Sequence, residues 1–280
     1  MLRINRGSDM TRMYNELPQR LEIKMTGKSD KSIRKGIYIL PNLFTTGALF
    51  SGFSAIVQAS KGDFELAAIL IFVAMVLDGL DGRVARMTNT TSEFGIQYDS
   101  LSDMVSFGLA PALVVYEWSL NSMGKLGWLV AFIYAVAAAL RLARFNTHAA
   151  HEKSVFQGLP SPSAAAILAA FIWVVNDYGM TGADFKISIL LLTLVAAILM
   201  VSNVPFRSFK DFDLKSNVPF VVVLGIVIAL VVIVYDPPRV LFAGFFIYLV
   251  SGPVTALLNR KKGKEDLKGR DADSSEKDSD

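Results

Sequence analysis

Asp78 and Asp81 stand three positions apart, and Asp99 and Asp103 four apart, between segments that are otherwise strongly apolar. On a helix, residues three or four apart share a face, so each pair points one way. Only "MTNTTSEF", residues 87–94, separates Arg86 from Gly95, and so short a connection makes the two helices antiparallel neighbours. The last turns of one then lie beside the first turns of the next, and all four carboxylates are expected to meet at one depth. Carboxylates crowded in this way repel one another unless cations neutralise them. Oxygen ligands in a chain with no cysteine suit a hard ion such as Mg²⁺, Mn²⁺ or Ca²⁺. Two such ions would balance the formal charge of the four groups, as in a two-metal phosphoryl-transfer site.

The residues between the pairs fit the same chemistry. Gly79, Gly82, Ala85 and Gly95 are small, and without bulky side chains a ligand or a neighbouring helix can approach the backbone. Arg86, two turns beyond Asp78, could hold a phosphate through paired hydrogen bonds. The plain alternative is a set of interfacial charges at helix ends. Four aspartates at these spacings, with Arg83 and Arg86 among them, favour a site, because ionisable groups at membrane depth are costly and retained for function.

The elements that must position these residues are membrane helices. The chain has 280 residues, 52% hydrophobic and 19% charged, with a mean hydropathy of +0.43, which is far from a soluble domain. Apolar stretches long enough to cross a hydrocarbon core of about 30 Å recur along it. They place spans at roughly Tyr38–Ser60, Phe64–Gly82, Asp99–Trp118, Trp128–Leu142, Leu159–Val175, Ile187–Val201, Val218–Tyr235 and Val240–Leu258. The expected fold is therefore an all-α polytopic bundle of about eight transmembrane helices, with a polar active-site cavity facing the cytoplasm. Residues 1–37 form a basic arm with nine Lys or Arg and no signal-peptide core, so it is expected to stay in the cytoplasm, near anionic lipid. Residues 38–258 form the transmembrane domain, and the mixed-charge tail 259–280 reads as disordered. Arg141, Arg144, Lys153, Arg207, Lys210 and Lys215 fall in the segments on the arm's side, whereas Lys61, Lys125, Lys186 and Arg239 are the only basic residues in the opposite loops. That asymmetry puts both termini in the cytoplasm.

The stretch Asp78-x2-Asp81-Gly82-x2-Ala85-Arg86-x8-Gly95-x3-Asp99-x3-Asp103 resembles the complete signature of the CDP-alcohol phosphotransferases, membrane enzymes that displace CMP from a CDP-linked lipid or alcohol with an incoming hydroxyl. The resemblance implies that Asp78, Asp81 and Asp99 bind Mg²⁺ or Mn²⁺, two ions in all, and that Asp103 completes the metal site and acts as the base. It also implies a CDP pocket lined by Asp81, Gly82, Ala85 and Arg86, with Gly95 allowing close packing beside it. Asn42 and Thr45, in "PNLFTTG", could contact the nucleotide or phosphate, or satisfy backbone groups at a helix start.

"PNLFTTG", "RLARFN" and "FQGLPSPSAA" together resemble the membrane-integral phosphatidylserine synthase branch of that family, which implies CDP-diacylglycerol and L-serine as substrates. Arg141, Arg144, Asn146 and Ser161 are the acceptor-site candidates. Arginine suits a serine carboxylate, but glycerol 3-phosphate or inositol phosphate would want cations too, and choline is a further possible acceptor. Simple anchoring of Arg141 and Arg144, and helix initiation by Pro160 and Pro162, are the competing readings. His148 and His151 read as loop residues rather than ligands. Members of the family pair as homodimers, and Gly47 and Ser51, four apart, offer a close-packing face. Membrane lipids are expected neighbours; nucleic acid is not an expected partner. The rival class is a divalent-cation transporter, which would place its carboxylates near the bilayer midplane on a path to the far side.

Overall fold

The computed structural model describes residues 39–88, 90–148, 156–206 and 220–277; the basic arm 1–37 and most of the segment around Lys210 and Lys215 lie outside them. Helix α1, Ile39–Ser60, ends at Gly62, whose positive φ of 82° lets its N–H turn back onto the Ala59 carbonyl at 3.0 Å. Asp63 then accepts from the Leu66 N–H at 3.1 Å and opens α2, Phe64–Thr88. This tight corner sets α1 and α2 antiparallel. Ala48, Ala55 and Ala59 on one helix and Ala67, Ala68 and Ala74 on the other are buried, and such small side chains let the backbones approach closely.

The next helix begins earlier than hydropathy suggests. Ser92 caps α3, Glu93–Asp103, by accepting from the Gly95 N–H at 3.0 Å. Its first turns mix polar and apolar residues, so no continuous apolar run reaches them. Asp99 therefore sits inside a helix rather than at its start. The helix widens into a π-helical turn, Met104–Leu109, and continues as α4, Ala110–Trp118. After a short 3₁₀ turn come α5, Lys125–His148, a two-residue strand β1, Phe156–Gln157, and α6, Ser161–Asp177. Pro160 forms the cap of α6 and Pro162 lies in its first turn, the one stretch of a helix where proline costs no hydrogen bond. Helix α7, Lys186–Val201, leads to β2, Pro205–Phe206, which pairs antiparallel with β1 in the register Phe156 to Phe206. Helices α8, Phe220–Tyr235, and α9, Pro237–Lys277, complete the chain.

The core is centred on α6. Ala164 through Ala170 are all buried, so this helix is covered on every side, packing against α2, α5, α7 and α9. Helix α8 is its opposite: Val227, Leu230, Val231 and Val234 are all exposed, as fits a helix whose solvent is lipid. Among the described residues, four helices are long and apolar enough to cross a membrane, Leu40–Ser60, Lys125–Thr147, Gly182–Val201 and Pro237–Leu258. Helix α2 has the length but carries Glu65, Asp78 and Asp81, and α6 and α8 are shorter apolar helices. The chain is thus a nearly all-helical, multi-pass membrane protein. Helical backbone continues through Lys277, into the segment whose composition suggested disorder. Gly47 and Ser51 carry contacts inside the chain rather than a free face: a Cβ at Gly47 would lie 3.3 Å from Leu77 Cδ1, and Ser51 is buried.

At the far end of the bundle, Arg239 donates to Asp236 at 2.8 Å and to Asp177 at 2.9 Å, tying the α8–α9 corner to the end of α6. Exposed pairs of this kind add little stability. The contact between α1 and the π-helical turn matters more. A Cβ on Gly52 would lie 2.6 Å from Ser106 Cα, a backbone clash that no rotamer change relieves. Gly52→Ala is expected to lower stability by about 1–3 kcal/mol through overpacking, read as a drop in the melting temperature of the detergent-purified protein. An unchanged melting temperature would mean that α1 does not pack this closely.

Candidate active site

Helices α2 and α3 both pack on α1, and their aspartates converge. One carboxylate oxygen from each of Asp78, Asp99 and Asp103 lies within 4.8 Å of the others. Oδ1 of Asp99 and Oδ1 of Asp103 are buried, and neither has a hydrogen-bond partner among the described residues. Buried acceptors are nearly always satisfied. Two orphaned carboxylate oxygens beside a third carboxylate therefore fit a divalent cation, whose preferred ligands are hard oxygens. The residues present match the metal that the sequence pattern implies.

Asp81 is placed differently. It is buried and accepts a hydrogen bond from Thr45 Oγ1 at 2.6 Å, a distance typical of a hydroxyl on an ionised carboxylate. The three-carboxylate group does not include it; instead it forms part of the wall of the adjoining pocket. That pocket is built from three helix ends. Asn42 and Thr45 come from α1, Asp81, Gly82, Ala85 and Arg86 from α2, and Gly95 and Asp99 from α3. All seven residues expected to line a nucleotide site thus border one cavity. Asp99 belongs both to this cavity and to the acidic group, so the two are contiguous. A Cβ at Gly95 would lie 3.1 Å from Ser92 Oγ and 3.6 Å from Asn42 Oδ1, so the missing side chain keeps both the helix cap and Asn42 in place.

Helix α1 is held against α3 by hydroxyls. Ser102 Oγ donates to the Thr45 carbonyl at 3.1 Å, Ser106 Oγ to the Ala48 carbonyl at 3.0 Å, and Thr46 Oγ1 lies 2.9 Å from Tyr98 OH. These contacts, together with Pro41, Thr90, Thr91, Ser92 and Ile96 in the pocket wall, are absent from the sequence reading. Ser102 and Ser106, four apart in an apolar segment, are the one signal that could have revealed them.

The acceptor candidates do not line this pocket. Arg141, buried on α5, is within Coulombic reach of Asp103. Asn146 Nδ2 donates to Ser100 Oγ at 2.9 Å, beside Asp99 in the chain, and Arg144 Nη2 donates to Asn203 Oδ1 at 2.7 Å. Ser161 is buried at the start of α6. Arg141 and Asn146 thus approach the acidic helix, while Arg144 reaches toward the segment before β2. His148 contributes only backbone to the description, and His151 lies outside the described residues.

Thr45→Val would leave the buried Asp81 carboxylate without its hydroxyl donor, and such a loss costs about 1–3 kcal/mol or more. Thr45→Val is expected to lower the melting temperature, whereas Thr45→Ser retains it. Equal melting temperatures for the valine and serine variants would show that the hydroxyl contributes nothing.

Residues 38–207, which contain every element of this site, match the family model of the CDP-alcohol phosphatidyltransferases. The chain is 37% identical over 218 residues to the CDP-diacylglycerol–serine O-phosphatidyltransferase of Helicobacter pylori, covering 77% of this chain and 90% of that one. It is 34% identical over 199 residues to the enzyme of the same name from Mycobacterium bovis, covering 69% of each. It is also 33% identical over 180 residues to the archaetidylserine synthase of Methanothermobacter thermautotrophicus, covering 64% of this chain and 73% of that one. With its acidic helix pair, its contiguous pocket and a family match spanning more than half its length, the chain belongs to the CDP-alcohol phosphatidyltransferase family.

Proposed function

We propose that this protein transfers the phosphatidyl group of CDP-diacylglycerol to the hydroxyl of L-serine, giving phosphatidylserine and CMP. The observation that carries the reading is the continuity of the pocket with the acidic group through Asp99. A nucleotide in the pocket would present its pyrophosphate to the carboxylate cluster, with Arg86 in the pocket wall to bind phosphate oxygen. The serine acceptor is supported by relatives that bear the serine transferase and archaetidylserine synthase names.

In this reading Asp78, Asp81, Asp99 and Asp103 hold two divalent cations, Mg²⁺ or Mn²⁺. When bound, these supply neutralisation of the pyrophosphate charge and of the charge developing on departing CMP. The protein's own groups do the rest. Asp103 accepts the proton of the serine hydroxyl as its oxygen bonds to the lipid-side phosphorus, and the bond from that phosphorus to the CMP oxygen breaks. Thr45 orients Asp81 toward the pocket. Arg141, which feels the charge of Asp103, binds the serine carboxylate, with Asn146 and Ser161 shaping the acceptor side and Arg144 holding the adjacent segment through Asn203. Fixed donors and charges of this kind carry most of phosphoryl transfer. In this reading the chain crosses the membrane eight times with both termini and the site on the cytoplasmic side, a sidedness supported by the basic loops.

The test is release of CMP by the detergent-purified protein from CDP-diacylglycerol with Mn²⁺, with serine, glycerol 3-phosphate, inositol phosphate or choline supplied singly. Release that requires both serine and metal is expected, and Asp103→Asn should lower it about a hundredfold or more while the protein still purifies folded. Release with a different acceptor would overturn the serine assignment, and near-normal turnover by Asp103→Asn would overturn its role as base.

A further inference from the structure

The π-helical turn Met104–Leu109 begins at the residue after Asp103 and is continuous with the helices on either side of it. Such wide turns are rare, recur at functional sites, and rearrange the backbone ladder locally. At Phe107 the consequence can be traced. The N–H that would bond the Phe107 carbonyl at α-helical spacing belongs to position 111, which is proline and has none to give. The hydroxyl of Tyr134, on α5, donates to that carbonyl at 3.2 Å.

Tyr134 is 0% exposed and sits in the apolar core. A hydroxyl there is costly unless it is bonded, and phenylalanine would fill nearly the same volume. One turn further along α5, Ala138 packs on the same π-helical turn, since a Cβ on Gly108 would lie 3.2 Å from Ala138 Cβ. On the opposite side the turn is held to α1 by the Ser106 hydroxyl and the missing side chain of Gly52. The segment that follows Asp103 is therefore clamped between two helices, with Tyr134 meeting a carbonyl to which Pro111 offers no N–H.

We infer that Tyr134 is a positioning residue for the reaction: its hydroxyl holds the π-helical turn in the register that keeps Asp103 facing Asp78 and Asp99. The inference rests on the proposed role of Asp103 and adds a residue that touches neither substrate nor metal. A merely structural tyrosine would affect stability alone. A positioning tyrosine also affects the affinity of the acidic group for metal and the turnover number.

The test uses the full-length protein in detergent, comparing wild type, Tyr134→Phe and the double variant Tyr134→Phe/Pro111→Ala, which restores a backbone N–H at position 111. Two quantities are read: Mn²⁺ affinity by electron paramagnetic resonance without substrate, and kcat and KM for serine-dependent CMP release. Tyr134→Phe is expected to lower both Mn²⁺ affinity and kcat about tenfold, the scale for losing a group that orients a metal ligand, with KM for serine unchanged; the double variant recovers both. Wild-type Mn²⁺ affinity and kcat in Tyr134→Phe would overturn the inference, as would a folded double variant as defective as the single one. If Tyr134→Phe alone does not fold, a folded double variant with wild-type Mn²⁺ affinity supports the inference and one with weakened affinity overturns it. Failure of the functional reading itself would appear instead in the wild type, as an absence of serine-dependent CMP release, and the Mn²⁺ comparison would still decide the role of Tyr134.

Discussion

Three carboxylates whose oxygens approach within 4.8 Å are the constraint around which this molecule is organised. Unit negative charges at such separations repel by an amount that grows steeply as water is removed, so the bundle must hold Asp78, Asp99 and Asp103 together against a force that would push α2 and α3 apart. A divalent cation removes the repulsion. Without one, the scaffold must resist it, through the hydroxyl ties from α1 and the packing of small residues. Ser102 and Ser106 fasten α3 and the π-helical turn to carbonyls of α1, and alanines join α1 to α2. Helix α1 is thus the common support of both acidic helices.

The same support builds the pocket. Thr45 uses its hydroxyl on Asp81 and its carbonyl on Ser102, so one residue links the pocket wall to the helix that carries Asp99 and Asp103. The pocket and the acidic group are consequently two parts of one rigid corner, with Asp99 at their junction. That arrangement suits a reaction in which little covalent work is asked of the protein and much depends on position. The remaining helices serve this corner indirectly. Helix α6 fills the centre, and α5 brings Arg141 toward Asp103 and Asn146 to Ser100.

What could be read from the sequence was local. The aspartate pairs were legible because spacings of three and four fix a helical face and because the linker is short. The pocket residues were legible because they belong to the same pattern, with Asn42 and Thr45 added from α1. Contacts between distant segments were not legible: nothing near Thr45 announces a partner 36 positions away, and nothing near Arg144 points to Asn203. The start of α3 is hidden because Glu93, Gly95 and Gln97 interrupt Phe94, Ile96 and Tyr98 at the edge of the apolar stretch, although Ser92 is a good helix cap. Helical spacing places Asp81 on the same face as Asp78 but does not reveal that Thr45 reaches it. The π-helical turn had only Pro111 as a sign. A proline one turn after a polar segment fits an ordinary helix start equally well.

In the proposed reaction the carboxylates of α2 and α3 hold a cation against the pyrophosphate of a CDP-linked lipid. Phosphorus ENDOR on Mn²⁺ bound to the purified protein in the presence of CDP-diacylglycerol tests it directly. A phosphorus hyperfine coupling is expected in the wild type and disappears in Asp99→Asn, because Asp99 belongs to both the acidic group and the pocket. Bound Mn²⁺ with no phosphorus coupling, or a coupling that survives the loss of the Asp99 charge, would contradict it.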